Sequence, residues 1–188
     1  MIMQADLESR PIVVAVDHSD SARDAAAWAA GIAADWLAPL HLLHVVAGDL
    51  QDPPEPLPSW LVELGEDAER VGARPVTIEV VPGDVVATAA ARGVGARILV
   101  LGSYGEGASG GMLAGSVALG VVERVGCPVA VVRGSAPRLA PPRAGPVVVG
   151  VDGSGAGEAA LSFAADLAVA VGARLVAIHI WSDVEVGP

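Results

Sequence analysis

Hydrophobic and polar positions follow two rhythms along the chain. Short stretches dominated by apolar residues occur at 12–16 (IVVAV), 40–46 (LHLLHVV), 76–81 (VTIEVV), 98–101 (ILVL) and 128–132 (PVAVV), and each reads as a strand. Between the first two, residues 21–36 place Ala25, Trp28, Ala29, Ile32 and Trp36 at helical spacing on one face, with Ser19 or Ser21 available as the N-cap. Residues 58–72, 84–92 and 116–125 supply three more helices, the last opening at Ser116. Strand and helix alternate, and the strands lack a polar face. The pattern therefore predicts an α/β fold whose parallel sheet is covered by helices on both sides.

After the fifth strand the chain changes character. Residues 134–145 are rich in proline and glycine and read as an extended linker. Beyond it the pattern repeats: residues 11–44 align without a gap onto 146–179 at a constant offset of 135, so that Pro11, Asp17, Ser19, Leu40 and His44 recur as Pro146, Asp152, Ser154, Leu175 and His179. Such self-similarity indicates a duplicated unit. The expected organisation is an N-terminal tail (1–10), a complete domain (11–133), the linker (134–145) and the start of a second, incomplete domain (146–188). A lone strand-helix-strand of about 40 residues rarely buries enough surface to stand by itself, so completion by further chain or docking onto a neighbouring domain or molecule is expected.

Composition narrows the function. The apolar excess is alanine and valine, with one Phe and one Tyr, which suits tightly layered small side chains. The net charge is −11, and all 11 basic residues are arginine. A nucleic-acid partner, which needs clustered Lys or Arg, is not expected. Neither is a membrane partner, because no apolar run approaches a membrane span, and the N-terminus MIMQADLESR lacks a signal layout. A cytoplasmic location is expected, in keeping with the single cysteine, Cys127, read as a small buried residue before Pro128.

In an open parallel sheet, ligands sit outside the carboxyl ends of the strands. Two loops suit that position: Asp17-His18-Ser19-Asp20 after the first strand, and the glycine-rich 102–116 (GSYGEGASGGMLAGS) after the fourth. In the latter, Gly102, Gly105 and then Gly115-Ser116 at the start of a helix could bring main-chain amides onto an anion without a lysine. The alternative for this loop is a mobile connector.

Gly102, Gly105, Gly115 and Ser116 match in type and spacing the G-x2-G-x9-G-[ST] motif of ATP-binding universal stress proteins, and the chain resembles that family. VVAVDHS, LLHVV and Cys127-Pro128-Val129 are also similar to it, as are VVVGVDGS and LVAIHIWSD in the second copy. The resemblance implies an adenine nucleotide alpha hydrolase-like fold, a five-stranded parallel sheet in the order 3-2-1-4-5, with nucleotide at its carboxyl edge. It implies Asp17 near ribose or a bound metal, Ala15 and Val45 near adenine, and Gly102, Ser103, Tyr104, Gly105, Glu106, Gly107 and Ala108 with Gly115, Ser116 and Val117 around ribose and phosphates. Gly150 and Asp183 match nucleotide-contacting positions in the second copy. Glu106 departs from the family, where a basic residue is common, and would repel phosphate unless Mg²⁺ bridged Glu106 or Asp17 to it. The resemblance further implies a homodimer or an intramolecular pair of halves.

The expected function is ATP binding, with Mg²⁺, whose occupancy is read by a regulatory protein partner. The alternatives are a nucleotide-free dimerisation scaffold of the same fold and a slow ATPase. Turnover is not required, and no catalytic residue is assigned, because Gly115-Ser116 lacks the lysine of a Walker A loop. Two GxGxxG/A matches, at 105–110 and 155–160, are discounted as dinucleotide fingerprints. His18 reads as a solvated loop residue, and His44 and His179 as satisfied by hydrogen bonds. The acidic stretch 49–69 reads as a solvated loop with one exposed helix, on which Trp60 and Leu61 could anchor a partner.

Overall fold

The computed structural model describes residues 9–46, 48, 55–104, 115–133 and 145–180, and these fall into two compact units, Met1–Pro142 and Arg143–Pro188. The first unit runs β1 (Ile12–Ala15), α1 (Asp20–Trp36), β2 (Leu40–Val46), α2 (Ser59–Arg70), β3 (Val76–Pro82), α3 (Val85–Gly93), β4 (Ile98–Gly102), α4 (Ser116–Val122) and β5 (Val129–Val132). All strand pairs are parallel and the sheet order is β3-β2-β1-β4-β5, as the resemblance implied.

β1 is central, and Ile12, Val13 and Val14 are buried. That is why its residues are apolar without alternation: both pleat faces meet helices. On one face Val13, Leu43, Leu99 and Leu101 form a cluster with Ala89 of α3 and with Ala118 and Val121 of α4. On the other, Gly65 of α2 lies against Ile78 and Leu42, so closely that a Cβ there would stand 3.0 Å from Ile78 Cδ1. Alanine and glycine on the helices let the layers approach, which explains a core nearly without aromatics.

Ser19, not Ser21, caps α1: its Oγ accepts from the Ala22 amide at 3.1 Å. Asp84 caps α3 in the same way through the Ala87 amide at 2.8 Å. Ala25, Ala29, Ile32 and Trp36 of the predicted α1 face are buried, and Trp28 is half-buried. The Arg97 guanidinium lies over the Trp36 ring, 3.8 Å from its centroid. Two expectations need correction. The helix predicted over 116–125 ends at Val122: beyond it the Arg124 and Val125 amides converge on the single carbonyl of Val121, at 3.0 and 2.9 Å, which closes the last turn. Helix α2 is amphipathic rather than simply exposed: it buries Leu61, Leu64, Gly65 and Ala68.

The second unit contains β6 (Val147–Gly150), α5 (Gly155–Ala170) and β7 (Leu175–Ile178), with β6 and β7 paired in parallel from Val147↔Leu175 to Gly150↔Ile178. Among the described residues no helix is long and apolar enough to cross a membrane.

Candidate functional site

The chain leaves β1 toward β2 and leaves β4 toward β5, on opposite sides of the sheet centre. The connections diverge, α1 covering one face and α4 the other, and such a divergence is where an open parallel sheet forms a ligand crevice, here at the carboxyl ends of β1 and β4. From β1 comes the turn Asp17-His18-Ser19. Asp17 Oδ1 accepts the Ser19 amide at 3.0 Å, a local turn that sets the chain for the cap. Asp20 and Asp24 follow in the first turns of α1. Burial pushes the Asp24 carboxyl up, and the Asp20 charge adds to the effect.

From β4 come Gly102, Ser103 and Tyr104. The Ser103 amide donates to Val132 O at 3.1 Å, which ties the strand's end to β5. Gly115 returns to this point: a Cβ on it would stand 3.3 Å from Ser103 O and 3.7 Å from Tyr104 Cα. The start of α4, with Ser116 and Val117, is therefore held beside Ser103 and Tyr104. Ala15 and Val45 are half-buried at the same edge and pack onto the apolar cluster beneath it. Gly105, Glu106, Gly107 and Ala108 lie outside the described residues, as does Asp183. Gly150 ends β6, in the position of Ala15 in the repeat.

Sequence reasoning missed three features. The glycine spacing predicts room for an anion at Gly102, yet the space where its side chain would be is filled by Ser21, whose Oγ lies 2.6 Å from the Cβ position. Ser21 Oγ in turn accepts the Tyr104 amide at 3.3 Å and lies 3.4 Å from Ser103 Oγ. The repeat carries the signal for this, since Ser19 recurs as Ser154 but Ser21 is replaced by Ala156. Trp60 is also unexpected. Its ring meets His18 and His44 edge-on, with centroids 5.5 and 5.0 Å apart, so it belongs to this end of the sheet. Leu61 beside it is fully buried and cannot anchor a partner.

His44 is hydrogen-bonded as expected: Nδ1 donates to Val16 O at 2.8 Å, and His179 repeats this with Val151 O at 2.7 Å. Cys127 is half-buried beside Gly93, and burial pushes its thiol up, away from the reactive thiolate. Among the described residues no group of three His, Cys, Asp or Glu side chains converges as a metal site.

The fold is shared with known proteins. The universal stress protein family model matches residues 8–133 and 144–188. Universal stress protein Rv2005c of Mycobacterium tuberculosis is 38% identical over 192 aligned residues, covering 93% of this chain and 65% of the relative. The chain thus spans just under two thirds of that relative's length. Universal stress protein Rv2623 of the same organism is 34% identical over 201 aligned residues, covering 98% of this chain and 68% of the relative. Among solved structures, a universal stress protein in complex with cAMP superposes with a TM-score of 0.53 at 31% identity, over 66% of this chain and 96% of that one. UspA from Lactobacillus plantarum gives 0.51 at 26%, over 66% and 97%. With the glycine motif in register and a family model matched across both units, the chain belongs to the universal stress protein family.

Proposed function

We propose that this chain binds an adenine nucleotide, ATP in the first instance, in the crevice at the carboxyl ends of β1 and β4. The observation that carries the reading is the return of Gly115 onto Ser103 and Tyr104, beside the Asp17–Ser19 turn. It brings both arms of the glycine motif to one place at the switch in strand order. The relative solved with cAMP supports the same ligand class.

In this reading Ala15 and Val45 bound the base, and Asp17 lies near the ribose. Ser103, Tyr104 and the amides of Gly115, Ser116 and Val117 hold ribose and phosphates, together with Gly105, Glu106, Gly107 and Ala108, while Gly102 gives Ser21 the room to close onto this strand end. Gly150 and Asp183 would contribute the corresponding positions of the second unit. A resident metal centre does not fit the described side chains, because no three carboxylates or imidazoles converge. A single carboxylate at Asp17 does fit Mg²⁺ that takes its other ligands from phosphate and water. Such an ion would also offset the negative charge that Asp17 and Asp20 place at this end of the sheet.

The role we assign is regulatory: occupancy, rather than turnover, is read by another protein. This requires that nucleotide bind two conformations with different affinity. Isothermal titration with ATP and Mg²⁺, and separately with cAMP, should saturate at or below millimolar ligand, with Asp17→Asn weakening the ATP isotherm. Absence of saturation with both nucleotides at millimolar concentration would overturn the assignment.

A further inference from the structure

We propose that Ser21 is a positioning residue, a buried latch that joins the two arms of the crevice. The proposal rests on the nucleotide reading above for its purpose, and on geometry for its existence. Ser21 sits in the first turn of α1, behind the cap, and is 1% exposed; Ser103, at the exit of β4, is also 1% exposed. Buried hydroxyls in an apolar setting must find partners. These two find each other, with Oγ atoms 3.4 Å apart. Ser21 Oγ also accepts the Tyr104 amide at 3.3 Å, and two residues earlier the Oγ of the cap, Ser19, donates to Tyr104 O at 3.4 Å. Both main-chain polar groups of Tyr104 are therefore held by serines of the β1–α1 segment, more than 80 residues away in sequence.

Two further observations show that this junction is built for the first unit. Gly102 is the residue on which Ser21 closes: a Cβ there would meet Ser21 Oγ at 2.6 Å and Ser21 C and O at 2.9 Å, so any side chain would push the arms apart. In the repeat, where the cap (Ser154) and the turn aspartate (Asp152) are kept, the latch position is Ala156. The cap is thus a requirement of the helix, whereas the Ser21 hydroxyl is a requirement of the contact with β4. The consequence is that the distance between Asp17 and the Ser103–Tyr104 backbone is set before any ligand arrives. Such preorganisation lowers the ordering cost of binding.

The test uses the full 188-residue chain without nucleotide and then with ATP and Mg²⁺. Ser21→Ala should speed hydrogen exchange of the Tyr104 amide by about tenfold while amides in the middle of α1 keep their protection. It should weaken ATP by about 3- to 10-fold, the scale of one buried hydrogen bond. Ser103→Ala, which spares the Tyr104 amide bond, should move affinity in the same direction by less. Ser21→Cys keeps a γ atom that can hydrogen-bond, though a larger and weaker partner than the hydroxyl, should fall between, and serves if the alanine variant does not fold. Unchanged Tyr104 exchange in the Ser21 variants overturns the latch, and faster exchange with wild-type affinity overturns its role in binding. A wild-type chain that saturates with no nucleotide sinks the reading beneath, and is told apart because Tyr104 exchange still responds to the Ser21 variants.

Discussion

In both βαβ segments, 11–44 and 146–179, a serine two residues beyond an aspartate caps the helix. The Ala22 and Gly157 amides donate to Ser19 and Ser154 at 3.1 Å in each case, and the serine amides donate to Asp17 and Asp152 at 3.0 and 2.9 Å. The repeated histidine, His44 within β2 and His179 just beyond β7, donates to the same carbonyl position in both. Burial, by contrast, diverges. Leu40 is 0% exposed and its repeat, Leu175, is 37% exposed; Val13 is 2% and Val148 is 54% exposed. β1 and β2 lie inside a five-stranded sheet with helices on both faces, whereas among the described residues β6 and β7 pair only with each other. Caps and turns are settled by a few adjacent residues, so they survive a change of surroundings. Core character is conferred by what is packed on top.

Truncating the same leucine in both units should have the largest and most unequal effect. Leu40→Ala leaves a cavity among fully buried neighbours and should cost about 2–5 kcal/mol. Leu175→Ala removes a side chain already 37% exposed and should cost about half as much or less. Urea unfolding, with hydrogen exchange followed separately in each unit, measures both. Equal losses would mean that Leu175 is covered in solution and that the two units share one level of burial.

The same distinction explains what could be read from the chain beforehand. Strand positions and the two-sided sheet were legible, because a strand buried on both faces must be apolar throughout, and 12–16 and 98–101 are. The proposed site was legible in part: the spacing from Gly102 to Gly115-Ser116, taken together with VVAVDHS, LLHVV and Cys127-Pro128-Val129, carried enough information to point to the family, and Gly115 does lie against Ser103. What stayed hidden depends on side chains meeting across the fold. Ser21 looks like a second candidate cap until Gly102 is seen to close over it, and Trp60 looks like an exposed anchor until its ring meets His18 and His44. The end of α4 was misplaced because the pattern Val121-Val122-Val125 suits either a continuing helix or a tightened last turn.

A smaller effect of opposite sign lies at the helix ends. The chain leaves α1 through Leu37 with φ of 52°, a left-handed conformation that side chains disfavour, and leaves α5 through Gly172, its repeat, with φ of 64°. Relief of that backbone strain is worth about 1–2 kcal/mol, and the greater freedom of glycine in the unfolded chain takes back part of it. Leu37 is almost wholly exposed, so little packing is lost. Leu37→Gly should therefore stabilise the first unit by about 0.5–1 kcal/mol, read as a rise in its thermal midpoint. Gly172→Leu should lower that of the second. A fall on Leu37→Gly would show that the leucine side chain makes contacts worth more than its strain.

The smallest effect separates the units by pH. His41 of the first unit is replaced by Val176 in the second, and the first unit uses the difference. Glu79 Oε2 lies 2.8 Å from His41 Nε2, and Arg92 of α3 donates to both Glu79 oxygens. The Arg92 hydrogen bonds, with His41 adding to them against partial burial, hold the Glu79 carboxyl at about 2, below its ordinary 4.5. A carboxyl lowered by folding binds its proton more readily in the unfolded chain. Its stabilising contribution is therefore complete above about pH 4.5 and is lost progressively as pH falls toward 2. Arg92 is 43% exposed, so water screens the pair and its contribution should stay below about 1 kcal/mol. Glu79→Gln removes the titration while keeping the shape. Urea midpoints of the wild type and this variant should therefore differ at pH 6 and converge between pH 4.5 and 2, every other carboxyl titrating alike in both. Parallel midpoints across that window would show that Arg92 and His41 do not hold Glu79 in its ionised form.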